Sequence, residues 1–222
     1  IPKMFGTISV ETGNNYFNSV LFYKYNTLDE KTFPTKGLKI EAEAGYIYNQ
    51  NPDDLFIDAA ELTATVDTLN FTGYSKIKLN IENYAQLKGK FSFIQQFNGG
   101  IIINEEESFL NYFYVGGQTD FLRNQITFAG LSEYEVYTNS VAAGLLGLQY
   151  NPIKNVYATL RVNAALYDFM KTEPANWNQD NFLSGYSATV GYDSGIGPIQ
   201  FSLIYCDQSK NLAGYINVGY HF

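Results

Sequence analysis

Apolar and polar residues alternate one for one along segment after segment of this chain, and the alternation predicts strands throughout. The cleanest segment is 156–167, where Val156, Ala158, Leu160, Val162, Ala164 and Leu166 oppose Tyr157, Thr159, Arg161, Asn163 and Tyr167. A period of two is the mark of a strand with one greasy and one wet face. Segment 38–48 sets Leu38, Ile40, Ala42, Ala44, Tyr46 and Tyr48 against Lys39, Glu41 and Glu43. Segment 76–84 sets Ile77, Leu79 and Ile81 against Lys78, Asn80 and Glu82. Segments 186–192 and 199–205 continue the pattern, and 215–222 ends it with Ile216, Val218, Tyr220 and Phe222 on one face. Noisier strands are expected over 4–12, 16–26, 60–69, 91–103 and 134–150, for eleven or twelve in all. Many approach the length of about 9–11 residues that a tilted strand needs to cross a bilayer.

Almost no helical segment is available to cover the greasy faces. A sheet so placed must close on itself and turn its apolar side to lipid. The expected fold is therefore all-β, a transmembrane antiparallel up-and-down β-barrel of about twelve strands, occupying 1–222 as one domain. Short connections at 151–155 and 193–198 contrast with long polar ones at 104–133 and 168–182. That asymmetry is usual for outer-membrane barrels, which places the chain in the outer membrane of a Gram-negative bacterium with lipid as its first partner. A soluble β-sandwich or lipocalin-like barrel would show the same alternation with the greasy side inward. The aromatic terminus and the small polar groups on the opposite face count against it.

Composition sharpens this picture. The 222 residues include 19 Tyr, 17 Phe and 19 Gly but a single Trp, while mean hydropathy is only −0.18. An aromatic girdle around a polar lumen accounts for both. The net charge of −8 argues against nucleic acid, which selects basic patches. One cysteine, Cys206, excludes an internal disulfide, and with one histidine, His221, a zinc site is not expected. No apolar run reaches transmembrane-helix length. No secretory signal opens the chain, so Ile1 reads as a processed or truncated start.

Catalytic constellations are not found. A Ser-His-Asp triad would have to use His221 on a strand, and no Gly-x-Ser-x-Gly elbow occurs. The Gly-Gly pairs at 99–100 and 116–117 lack the strand–loop–helix setting of a nucleotide site. Glu105, Glu106 and Glu107 could hold Ca²⁺ in a loop, but they and Asp53-Asp54 read more simply as solvated charge. No cofactor is expected and the chain is not read as an enzyme. The alternation instead directs Lys39, Glu41, Glu43, Lys78, Glu82 and Arg161 inward, where charges must pair or stay wet.

The stretch from Gly191 through Ser194-Gly195-Ile196-Gly197-Pro198 to Leu203, followed by a last strand ending in Phe222, resembles the end of an Omp85-type (bacterial surface antigen) barrel. Upstream, Phe113-Tyr114-Val115-Gly116-Gly117-Gln118-Thr119-Asp120-Phe121-Leu122-Arg123-Asn124 resembles that family's long sixth loop, which folds back into the lumen. Gly116 and Gly117 match its Gly pair, and Arg123 matches its tip arginine. Asn124 and Gln125 replace the family's Gly and aromatic, and the spacing is one residue longer. With the Tyr- and Asn-rich style, this tip is most similar to barrels that follow patatin-like phospholipase domains in Bacteroidetes-type proteins.

The resemblance implies a sixteen-stranded barrel preceded by periplasmic modules, so the chain is expected to be a C-terminal portion or a reduced barrel. It implies that Arg123 pairs with a lumen carboxylate and pins the loop of 104–133 inside. It also implies that Tyr220 and Phe222 form a signal for the barrel-assembly machinery; a girdle aromatic at the interface is the simpler reading of Phe222. The expected role is a non-enzymatic anchor or translocator for an attached N-terminal (patatin-like) domain, with a further barrel chain as another possible partner. A passive small-solute channel is the alternative, and surface binding through 104–133 and 168–182 a third.

Overall fold

Strand bounds follow from where the period of two begins and ends. In the computed structural model the described residues are 10–11, 14–52, 56–57, 73–104, 112–119, 123–170, 181–195 and 197–219. Nine long strands pair antiparallel in one sheet: β2 (Asn14–Asn26), β3 (Gly37–Pro52), β5 (Tyr74–Gln86), β6 (Phe91–Ile103), β10 (Ser140–Tyr150), β11 (Val156–Tyr167), β12 (Phe182–Ser194), β13 (Gly197–Cys206) and β14 (Asn211–Val218). They lie in chain order as a meander, with β2 and β14 at the two ends of the ladder among the described residues. β1 (Val10–Glu11) and β4 (Phe56–Ile57) form a separate pair. Between β6 and β10 the chain makes β7 (Phe113–Val115), β8 (Gln125–Ile126) and β9 (Val136–Thr138), a three-stranded sheet of its own.

The all-β antiparallel barrel read from the sequence is the fold observed. Some bounds move. The strand expected over 134–150 is two, because Thr138 turns the chain at Asn139 by donating its hydroxyl to the Ser140 carbonyl at 2.8 Å. The last strand ends at Val218, four residues before Phe222, where Gly219 takes φ = 103°. The strand expected over 60–69 and most of 4–12 lie outside the described residues, as do Asp53-Asp54, Glu105–Glu107, Tyr220, His221 and Phe222.

The apolar parity points outward. Leu160, Val190, Leu212, Ile216 and Val218 are each about 60–70% exposed, while Thr159, Asn163, Ser187, Thr189 and Ser202 on the opposite parity are buried. Water would penalise that arrangement by roughly 1.5–3 kcal/mol for each large side chain left uncovered. Hydrocarbon removes the penalty, which is why this sheet belongs in a membrane.

The inward face divides along its length. Toward the short connections β5–β6, β10–β11 and β12–β13 it is polar, as expected. Toward the opposite end it is apolar: Ile47, Tyr74, Ile102, Val141, Ala143, Ala165, Leu183 and Cys206 form a core with Phe113, Val115, Ile126, Phe128 and Leu131. This corrects the expectation of a polar inner face along every strand. The loop that enters the lumen brings its own apolar residues and needs a matching wall.

Candidate functional site

Register decides which inward charges meet. β3 and β5 pair so that Lys39 lies opposite Glu82, Glu41 opposite Asn80 and Glu43 opposite Lys78. β2 adds Lys24 opposite Glu41. The resulting ladder runs Lys24–Glu41 at 2.8 Å, Lys39–Glu41 at 3.0 Å and Lys39–Glu82 at 3.2 Å. Asn80 Nδ2 donates to Glu82 at 3.3 Å, and Gln96 Nε2 donates to the Tyr84 hydroxyl at 3.2 Å. Alternating sign along one wall lets half-buried charges satisfy one another, the condition for leaving them in a lumen.

The lumen loop starts at the Gly pair. Gly116 (φ 135°) and Gly117 (φ 77°) sit in conformations that side-chain residues rarely adopt. A Cβ on Gly116 would run into the Ser132 carbonyl, so the returning limb of the loop packs directly on glycine backbone. Gln125, buried, donates to the Gly116 carbonyl at 2.8 Å and ties the two limbs together.

The loop tip reaches β3 and β5. Arg123 Nη2 and Nε meet both oxygens of Glu43 at 2.7 and 3.2 Å, a bidentate clasp. Lys78 Nζ donates to the Arg123 carbonyl at 2.6 Å, and Lys76 Nζ bonds Asn124 while lying 5.2 Å from the Phe113 ring centroid. A second set of bonds holds the other flank. Gln118 Oε1 accepts from Thr189 and Ser202 at 3.5 and 3.3 Å. The Thr119 and Tyr215 hydroxyls lie 2.6 Å apart, and Tyr215 donates to Glu133 at 3.0 Å. With its amide nitrogen turned inward, Asn163 donates to the Ala129 carbonyl at 2.7 Å and its oxygen accepts from the Ala129 N–H at 2.9 Å.

Of the residues singled out from sequence, Lys39, Glu41 and Glu82 meet in the ladder, Glu43, Lys78 and Arg123 meet at the loop tip, and Gly116 and Gly117 form the base of the loop. Arg161 faces the same lumen from another strand, where its guanidinium donates to Thr189 at 3.3 Å rather than joining the ladder. Tyr220 and Phe222 lie outside the described residues. Lys24, Lys76 and Tyr84 share the inward parity of β2 and β5 and lie just beyond the cleanest stretches of alternation. Gln118 and Thr119 lie within the loop motif and Tyr215 on the polar parity of the last strand, but their meeting with Glu133 across the lumen has no local signal. Beneath the loop remains a cavity of about 740 Å³, walled by Lys39, Glu82, Gln118, Arg161 and Asn217 and floored by residues 28–34. The chemistry on show is that of holding: paired charges and side-chain hydrogen bonds.

Comparison with known proteins agrees with this geometry. A family model described as the OMP85 superfamily matches residues 7–222. Among curated proteins none matches. Among solved structures, BamA from Haemophilus ducreyi lacking POTRA domains 1–3 is similar with a TM-score of 0.59 and 16% identity, over 90% of this chain and 40% of that one. The chain thus spans less than half the length of that structure, and the likeness is one of fold.

Proposed function

The chain belongs to the OMP85 superfamily, and from that premise we propose that it is the membrane anchor or translocator of an attached N-terminal domain or a partner chain. A patatin-like domain is the passenger its style of sequence suggests, with the outer membrane of a Gram-negative bacterium as its place. The barrel itself does no covalent chemistry in this reading. Its Tyr220–Phe222 end is offered to the barrel-assembly machinery during insertion.

One observation carries the choice of anchor over pore. The loop of 112–139 is bonded to β3 and β5 through Arg123 and Asn124, and to β12, β13 and β14 through Gln118 and Thr119. A loop held across the lumen from both flanks favours an anchor over an open pore. The passive-channel reading has its own support in the polar-walled cavity of about 740 Å³. Planar-bilayer recording of the refolded wild-type chain separates the two. Near silence is expected, whereas steady open conductance would sink the anchor reading and install the pore.

A further inference from the structure

The connection between β2 and β3 is much longer than the other turns at its end of the barrel, and it does not lie on the rim. Its base continues the hairpin ladder: Thr27 N–H donates to the Leu38 carbonyl at 2.9 Å and Asp29 N–H to the Lys36 carbonyl at 3.1 Å. The Asp29 carboxylate then closes the turn, accepting from the Thr35 hydroxyl at 2.6 Å and from the N–H groups of Thr35, Lys36 and Glu30 at 2.9, 3.2 and 3.1 Å. Burial alone would raise the pKa of this carboxyl, but those hydrogen bonds outweigh it and hold it below the ordinary 3.8.

From that base the tip crosses the lumen to strands far from β2 in the ladder. Phe33 is buried, with its ring stacked on Tyr157 of β11 at 4.3 Å and 12°. It fills the notch left by Gly191 of β12, where a Cβ would fall 2.5 Å from the ring. Gln149 of β10, itself 3% exposed, donates to the Pro34 carbonyl at 3.1 Å. A loop resting by chance on a rim would not insert an aromatic into a glycine notch, nor have its carbonyl met by a buried amide.

We infer that residues 27–36 are a second gate, a strap anchored by Phe33 that shuts the short-turn end of the lumen independently of the Arg123 clasp at the other end. The space between is a chamber closed twice. Releasing the clasp alone leaves the floor in place; releasing the strap alone leaves the roof. Passage along the lumen requires both. The inference goes beyond the anchoring role and holds whether or not a passenger is attached.

Gly191→Ala is the direct wedge. Its backbone is ordinary strand, so the added methyl meets the Phe33 ring and little else. Phe33→Ala removes the anchor from the other side and serves if the wedge does not fold, with heat-modified gel mobility reporting folding of each. Two readouts apply. Trypsin, followed by mass analysis, measures cleavage after Lys31 and Lys36; a seated strap resists it, and either variant is expected to speed it by about tenfold or more. Bilayer conductance is compared for Arg123→Ala, Gly191→Ala and the pair. Each single variant is expected to stay near silent and the pair to conduct steadily. An unchanged cleavage rate in both folded strap variants overturns the inference. So does an Arg123→Ala barrel that already conducts as fully as the pair, or a pair that stays silent.

Discussion

Leu160 and Arg161 are neighbours in the chain and face different solvents. The leucine is 62% exposed on the outer side, while the arginine bonds Thr189 inside. One residue of register separates hydrocarbon from a wet lumen, and a slip of one would exchange every such pair. Leu160 sits mid-strand, so Leu160→Arg should cost roughly 2–4 kcal/mol when unfolding from lipid vesicles is followed by guanidinium titration. Arg161→Gln, which keeps a donor toward Thr189, should move the same midpoint far less. Equal losses from the two would mean that the outer face is not in hydrocarbon.

At the scale of elements, the sheet and the lumen loop meet through glycines. Phe113 lies directly over Gly100 of β6, and a Cβ there would fall 2.3 Å from its ring. Gly144 of β10 has nothing within 4 Å of the same virtual atom. Gly100→Ala should therefore displace the loop and destabilise by about 1–3 kcal/mol, with faster proteolysis between 112 and 139, while Gly144→Ala should be near neutral. If both are silent, the loop does not rest on β6. The long strands were legible because their period of two is local: Lys39, Glu41 and Glu43 declare their face with no knowledge of what lies opposite. Glu43 could be expected inward, and Arg123 could be matched to a family tip arginine, but the clasp between them joins residues 80 apart in sequence. Phe33 shows the limit. A single aromatic in a polar turn has no period to betray it, and its notch at Gly191 is an absence of side chain on a strand that reads as ordinary.

For the whole molecule, the apolar surface has consequences that no single strand has. Leu21, Leu146, Leu160, Phe201 and Ile216, from five strands, share one uncovered exterior, far beyond the patch a soluble monomer tolerates. The chain should gain its β signal and heat-modified mobility only with micelles or vesicles present; a monodisperse folded species in plain buffer would contradict the outward assignment. The interior has a mechanical meaning as well. The lumen loop is bonded near one end of the ladder at Tyr215 of β14 and near the other at Glu43 of β3. A curved sheet takes its radius from whatever joins its flanks, and here the loop is the chord beneath the arc. Its two anchors, Thr119 on Tyr215 and Arg123 on Glu43, set the span, so releasing either one would let the wall open without altering a single strand.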